Sequence, residues 1–146
     1  MNAATHAWNR AAGLLERLLV MDLVLLVSRL GIAGVFWFSG RTKVEGLLSV
    51  SDGAVSLFQT EYRLPVLDPV FAAHAAAYAE HLFPLLLVLG LLTRFAALSL
   101  LGMTLVIQTF VYPDAWPTHL SWAAPLLLLA ARGPGRISLD RMLGLR

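Results

Sequence analysis

The chain has 146 residues, of which 58% are apolar and 14% charged, and its mean hydropathy is +0.73. A soluble domain carries ~25% charged residues and cannot cover so much apolar surface, so the composition favours a membrane protein. A net charge of +2 without a basic block gives no reason to expect a nucleic-acid partner, and the absence of cysteine excludes disulfides, thiolate metal sites and dithiol chemistry on this chain.

Residues 1–21 are predicted to form an N-terminal interfacial segment. Between Trp8 and Val20 the apolar side chains fall on one face of an amphipathic helix, and Arg10 and Arg17 lie off that face. The apolar face consists of Trp8, Ala11, Ala12, Leu15, Leu18 and Leu19. A frayed extension of the first membrane span is the alternative.

Four apolar segments follow, and they predict an all-α integral membrane protein built as a four-helix transmembrane bundle over residues 22–132. The predicted spans are residues 22–40, 72–92, 95–112 and 115–131, near the roughly 17–25 residues that cross a hydrocarbon core. Thr93 and Arg94 join the second and third spans as a tight hairpin, and residues 133–146 form a tail. In the long connection, Val50 to Phe58 is expected to form a short interfacial helix.

Lys and Arg are distributed unequally between the two sides that four spans create. Seven belong to the side of the two termini, namely Arg10, Arg17, Arg94, Arg132, Arg136, Arg141 and Arg146. The long connection carries three, Arg41, Lys43 and Arg63. The excess predicts that both termini are cytoplasmic. Lys43 and Arg63, with Glu61 and Tyr62, form either a rim over the bundle or a solvated loop.

Polar side chains from three spans are predicted to share one layer of the membrane. Counted from the cytoplasmic ends at ~1.5 Å per residue, Glu80 and His119 lie roughly 18 Å deep and Gln108 roughly 20 Å deep. Ionisable groups at such depth are functional hypotheses by default. The candidate catalytic residues are Glu80 and His81, and the candidate ligand-binding residues are Tyr78, Gln108, His119, Arg29 and His74.

Arg29 of the first span is the obvious counter-ion for Glu80, but the predicted depths argue against the pairing. Arg29 is expected about 8 Å nearer the cytoplasm, and helical side chains lean toward their own N-terminus, which moves the two groups apart. Arg29 therefore either pairs with Glu80 or extends to the interface. Gln108 and His119 are preferred as the neighbours of Glu80.

Three interpretations of this polar layer stay open. His81, Glu80 and Tyr78 could hold a quinone headgroup or another small redox ligand. His81, His119 and Glu80 could bind a metal, although no closely spaced ligand motif is present. Finally, the groups could hydrogen-bond one another across helices without any ligand.

Three stretches resemble the DoxX family of small four-span bacterial membrane proteins. They are RLGIAGVFWFSGRTK in the first span, AEHLFPLLLVLGLLTRFAAL across the second and third, and GPGRISLDRML in the tail. The resemblance puts Glu80 at the family's acidic position, Arg94 in its short turn, and residues 133–135 with Asp140 in its tail signature. LFQTEYRLPVLDP resembles, more narrowly, a subgroup encoded beside bufferin-type, metal-handling peptide-modification genes.

The resemblance implies a multi-pass protein of the bacterial inner membrane that acts with protein partners. Members are linked to thiosulfate:quinone oxidoreductase, and others assemble with superoxide dismutase and sulfurtransferase-type partners in thiol-oxidant defence. The expected function is an integral membrane subunit of an oxidoreductase or oxidative or metal-stress system, with a quinone-like ligand between the spans. The alternative is a non-enzymatic scaffold or a small transporter for a metal or metabolite. Whether the chain is itself an enzyme, and whether it forms homo-oligomers, are left open.

Overall fold

The computed structural model of this chain describes residues 3–18 and 20–145, and at positions 3, 4, 7, 11 and 16–18 it describes the backbone only. The described chain is mostly helical. Its elements in order are α1 (Ala3–Leu18), α2 (Met21–Arg41), β1 (Val44–Glu45), β2 (Ser49–Val50), α3 (Asp52–Thr60), α4 (Pro69–Leu89), α5 (Thr93–Val106), a π-helical turn (Ile107–Val111), a 3₁₀ turn (Pro113–Ala115), α6 (Trp116–Arg132) and α7 (Leu139–Met142).

Three stretches of the described chain are long and apolar enough to cross a bilayer: α2, α4, and α5 with its π-helical turn. The predicted second span, 72–92, is shifted toward the C-terminus relative to α4. Asp68 caps α4 by accepting a hydrogen bond from the Phe71 N–H at 3.0 Å, and Gly90 ends the helix in the left-handed conformation (φ 65°). α6 has 17 residues and is about 26 Å long at 1.5 Å per residue.

α2, α4, α5 and α6 pack around a shared apolar core. The core residues are Leu25, Ile32, Ala33 and Phe36 of α2, Leu87 of α4, Ala96, Ala97 and Leu100 of α5, and Leu126 and Leu129 of α6. One end of the bundle, here the hairpin end, holds the α4–α5 turn and residues 133–145. The opposite end, the loop end, holds residues 42–68.

α2 and α4 are antiparallel neighbours that are displaced along their axes. Arg29 of α2 donates from Nε to the carbonyl oxygen of Leu87 at 2.8 Å, near the end of α4. Gly40 lies against Glu80 and His81, halfway along α4. α2 therefore begins about eight residues, or ~12 Å, beyond the level at which α4 ends. The separation of Arg29 from Glu80 along the bundle is therefore larger than the ~8 Å expected from flush helices at ~1.5 Å per residue.

The loop end is covered by α3 and the β1–β2 hairpin. The predicted short helix of this connection is present as α3, which Ser51 caps by accepting a hydrogen bond from the Ala54 N–H at 3.1 Å. Phe58 of α3 packs on Ala72 and Ala73 of α4 in a second apolar cluster. The connection therefore packs onto α4.

The N-terminal segment forms a helix, α1. Trp8 and Leu15, of the predicted apolar face, are 74% and 55% exposed. Leu19 and the side chains of Ala11, Arg17 and Leu18, which belong to the same interpretation, lie outside the described residues. The amphipathic, interfacial character of this helix stays a prediction.

Candidate functional site

The most buried charge pair of the described chain joins Lys43, just after α2, to Glu80 of α4. Lys43 Nζ donates to Glu80 Oε2 at 2.8 Å, and the two side chains are only 9% and 4% exposed. Nζ also donates to the Ser39 hydroxyl at 3.0 Å and to the Ser39 carbonyl oxygen at 3.2 Å. The counter-ion of Glu80 is therefore Lys43, and the expectation that Lys43 lies in a rim or a solvated loop is wrong.

The two residues preferred as neighbours of Glu80 bind each other instead. His119 Nδ1 lies 2.6 Å from Gln108 Oε1, and Gln108 Nε2 donates to the carbonyl oxygen of Pro113 at 2.6 Å. Because the amide NH₂ is engaged with a carbonyl, Gln108 must accept at Oε1, and the imidazole donates from Nδ1. A neutral His119 then keeps a lone pair on Nε2. Its ring is buried and packs against Trp122 at 5.2 Å.

Glu80, Lys43 and His119 meet in the wall of one cavity of about 350 Å³. The cavity lies in the loop-end half of the bundle, between α2, α4, α5 with its π-helical turn, and α6, with α3 and the segment after it as cover. The hydrogen-bonding groups in its wall, besides the indole of Trp122, are Ser39, Lys43, Tyr62, Glu80, Tyr112 and His119. The rest of the wall is alanine, aliphatic and aromatic.

Small side chains on α4 create this space. Ala72, Ala75, Ala76 and Ala79 line the cavity on the α4 side, and Met103, Val106 and Ile107 line it on the α5 side. Close to the hairpin the two helices are in contact through Phe83 and Phe95, whose rings are 5.8 Å apart. α4 and α5 thus touch near their turn and leave a cavity toward the loop end.

A tyrosine pair stands at the loop-end side of the cavity. Tyr112 donates its hydroxyl to Glu61 Oε1 at 2.6 Å, and its Oη lies 3.2 Å from that of Tyr62. The hydrogen bonds to Glu61 and then Tyr62 raise the pKa of Tyr112 above its ordinary range. These contacts tie the segment after α3 to the end of the π-helical turn, so the cover is fastened across the cavity.

The other polar residues of α4 do not line this cavity. His81 Nδ1 lies 2.6 Å from the Ala77 carbonyl oxygen, its ring packs on Trp37 at 4.9 Å, and its buried Nε2 has no partner among the described residues. Tyr78 is 48% exposed, and His74 Nδ1 bonds to the carbonyl oxygen of Val70. Glu80 and His81, adjacent in sequence, therefore face different surroundings.

The structure does not bring together the three side chains considered for a metal. His81 lies outside the cavity wall that contains Glu80 and His119. In the described ranges, no group of three or more His, Asp or Glu side chains is placed to hold an ion.

Arg29 lies at the hairpin end, far from the cavity wall, and it is 2% exposed. Its Nε and Nη2 donate to the carbonyl oxygens of Leu87 and Val88, both at 2.8 Å. Its Nη1 donates to the carbonyl oxygens of Pro134 at 2.9 Å and Ile137 at 2.6 Å. Arg29 thereby satisfies the terminal carbonyls of α4 and fixes the tail. The pairing of Arg29 with Glu80 is wrong, whereas its extension to the membrane interface stays a prediction: the guanidinium lies at the hairpin end but is buried against backbone.

Asp140 and Arg94 complete the hairpin end in the same way. Asp140 accepts from the Leu92 N–H at 2.7 Å and the Thr93 N–H at 2.9 Å, which caps the start of α5. Arg94 donates from Nη1 to the carbonyl oxygens of Ala130 and Ala131 at the end of α6. The acidic and basic residues of the turn and tail motifs thus bind backbone, which explains their sequence pattern structurally.

Comparison with known proteins identifies the family. The DoxX family model matches residues 24–113, a range that includes Arg29, Lys43 and Glu80. An uncharacterised protein of Haemophilus influenzae is 30% identical over 129 residues, which is 82% of each chain. No solved structure matches. With a family model over more than half of its length and three helices that can span a bilayer, the chain is a multi-pass membrane protein that belongs to the DoxX family.

Proposed function

We propose that this chain is a membrane subunit of an oxidoreductase system that binds a lipid-soluble, quinone-type ligand in the loop-end cavity. One observation carries the proposal: a buried Lys43–Glu80 ion pair lies in the wall of a largely apolar cavity. Ligand sites are commonly apolar cavities of ~300–1,000 Å³ with a few polar groups that orient the ligand. The cavity has this character.

The polar groups in the wall fit the ends of a quinone ring. A ring carbonyl needs a hydrogen-bond donor, which Lys43 would supply by exchanging one of its two bonds to Ser39 for the ligand, since its three N–H groups are all engaged. A ring hydroxyl needs acceptors, which the carboxylate of Glu80 and Nε2 of neutral His119 supply. The alanines of α4 leave room for a flat ring, and the apolar wall suits an isoprenoid tail.

A quinone-type ligand, when bound, supplies the electron chemistry, and the chain supplies proton acceptance and orientation. Glu80 would accept the proton of one ligand hydroxyl and Nε2 of neutral His119 that of the other, as two electrons leave the ring. Lys43 and Ser39 hold the carboxylate in one position before and after that transfer. Electrons leave to the redox centre of a partner protein, which is why we propose a subunit and not a self-sufficient enzyme.

The proposal includes the membrane arrangement. α6 packs with α5 and α2 and ends beside the start of α5, which supports its role as a fourth span. Both termini then lie on the side richer in arginine, which would be the cytoplasm of a bacterial inner membrane. The cavity would then lie in the outer half of the bilayer, and α1 would lie on its inner surface. Any role in metal stress would depend on the partner proteins.

Quinone retention tests the proposal directly. The protein is purified from bacterial membranes in mild detergent, and bound quinone is extracted and quantified per chain. Ala75→Trp fills the cavity from an exposed position of α4, and Glu80→Gln removes the proton acceptor. Leu82→Trp is the matched control, because Leu82 is on the same helix, 55% exposed and absent from the cavity wall.

We expect quinone on the wild type and on Leu82→Trp, and loss from Ala75→Trp and Glu80→Gln. Equal retention by Ala75→Trp and Leu82→Trp would show that quinone binds elsewhere. A wild-type protein that copurifies without quinone and takes up none from added short-chain quinone would contradict the proposal.

A non-enzymatic scaffold is the second candidate, and the bonding of the hairpin end favours it. Arg29, Arg94 and Asp140 all bind backbone groups there, an arrangement that serves rigidity. A scaffold predicts that Glu80→Gln lowers only stability and leaves partner assembly intact at permissive temperature. A transporter for a metal or metabolite predicts substrate flux in liposomes.

A further inference from the structure

A second cavity, of about 470 Å³, opens at the hairpin end of the bundle and is unrelated to the Lys43–Glu80 site. It is bounded by the protruding start of α2, the start of α5, the end of α6 and the tail. The charged side chains in its wall are Asp22, Arg94, Arg132, Arg136 and Arg141. Four guanidinium groups against one carboxylate make this wall strongly positive.

The one carboxylate in this wall is already engaged. Asp22 Oδ1 accepts from the backbone N–H of Arg136 at 2.8 Å, and its Oδ2 lies 3.5 Å from Nε of the same residue. The nearby Asp140 is also occupied, because its two oxygens accept the N–H groups of Leu92 and Thr93. No further acid is available to the remaining arginines from the wall itself.

Two of the four arginines have free guanidinium groups. Arg94 uses Nη1 on the last carbonyls of α6. The guanidinium groups of Arg132 and Arg141 form no hydrogen bond or ion pair within the ranges that the structure describes, and both residues are exposed. One guanidinium group can donate two parallel hydrogen bonds to the oxygens of a phosphate, and it is only weakly hydrated. Two free arginines at one cavity therefore favour a phosphate ligand.

The surroundings of the cavity favour a phosphate that carries acyl chains. Leu25 and Leu145 line the cavity beside the arginines. The tail exposes Ile137 at 62%, Met142 at 80% and Leu143 at 64%. Basic pockets at the ends of transmembrane helices are typical sites for anionic lipid headgroups. We propose that the hairpin-end cavity binds the phosphate headgroup of an anionic phospholipid.

Lipid titration of the full chain in a non-ionic detergent tests the site. Phosphatidylglycerol and phosphatidylcholine with the same acyl chains are added, and bound lipid is counted by native mass spectrometry. The double variant Arg132→Gln, Arg141→Gln removes the two free charges. The control Arg41→Gln, Arg63→Gln removes two charges from the loop end, where both arginines are exposed. Inorganic phosphate alone is the third ligand.

We expect phosphatidylglycerol to bind about tenfold or more tightly than phosphatidylcholine, and the Arg132, Arg141 variant to lose about that factor. The loop-end control should change the affinity by less than about twofold, since it retains the cavity. Wild-type protein without a preference for phosphatidylglycerol would overturn the proposal, and this arm needs no variant to fold. An equal loss of phosphatidylglycerol affinity in the control would show that the lipid is attracted non-specifically by positive charge. Inorganic phosphate that binds as tightly as the lipid would assign the site to a soluble anion. Either result would overturn the lipid site.

Discussion

Removing Lys43 should be among the most damaging single changes near the cavity. In Lys43→Met the Glu80 carboxylate loses a partner at 2.8 Å while its side chain is 4% exposed. Leaving one charge of a buried pair uncompensated costs about 3–5 kcal/mol. Because Ser39 stays beside the carboxylate and can donate its hydroxyl, we expect the lower part of this range, about 3 kcal/mol. The free energy of unfolding is measured by SDS titration in mixed micelles, followed by circular dichroism.

A double-variant cycle separates the ion pair from loss of side-chain packing. Lys43→Met with Glu80→Leu replaces both charges by apolar groups, and such replacements of buried pairs are often nearly neutral. The double variant should be at least ~2 kcal/mol more stable than the sum of the single effects predicts. Arg41→Met is the control: Arg41 is exposed, and its bonds to the carbonyl oxygens of Gly46 and Leu47 are exposed to solvent, so the change should cost only about 1 kcal/mol. Additive single effects would refute the ion pair as the organising interaction.

Three further predictions follow from other contacts. Arg29→Lys should cost about 3 kcal/mol in the same titration, because one ammonium cannot serve the four carbonyl oxygens that Arg29 binds, and a bond to a charged group is worth ~1.5–3 kcal/mol. Gly40→Ala should cost about 1–3 kcal/mol, because its Cβ would stand 3.0 Å from the ring of His81; an unchanged stability would show that α2 and α4 separate easily. In alkaline titration by phenolate absorbance, Tyr112→Phe should remove a phenol whose pKa lies above the ordinary range. The bond of Tyr112 to Glu61 favours the neutral form in the folded state, so its stabilisation is complete below pH ~10 and lost as pH rises through the raised pKa.

The sequence was sufficient to predict the long apolar helices and to indicate that Glu80 needs a partner. Long apolar runs predict spans whatever their packing, and the short predicted connection, which the structure has at residues 90–92 instead of at Thr93 and Arg94, forces α4 and α5 to be neighbours. A carboxylate in such a run must be satisfied by another group. Glu80 is indeed buried, paired and part of a cavity wall. These features depend on local composition and chain length, which a single sequence contains.

The partner of Glu80 could not be obtained from depth alone, because the depths assumed that all helices start at one level. The displacement of α2 puts Gly40 beside Glu80, so a lysine that follows the span reaches the middle of α4. One signal was present in the sequence: Lys43 follows a span that ends in small residues, Ser39 and Gly40, which permit close approach. The π-helical turn and the bond between Gln108 and His119 carried no comparable signal, because they depend on how α5 meets α6.

The hairpin end of the bundle holds the helices together, and the loop end contains the cavity. At the hairpin end, Arg29, Arg94 and Asp140 bind backbone groups that would otherwise be unpaired at helix termini, so the positions of α2, α4, α5 and α6 are fixed there. Because the helices are held together at the hairpin end, α4 and α5 can separate toward the loop end without sliding along each other. A cavity beside a buried ion pair costs stability, since its walls lose packing contacts. A purely structural protein gains nothing from that cost, whereas a ligand that fills the cavity would recover the lost contacts. Because of this difference between the two ends, we expect changes at Glu80 to affect ligand binding and changes at Arg29 to affect the stability of the fold.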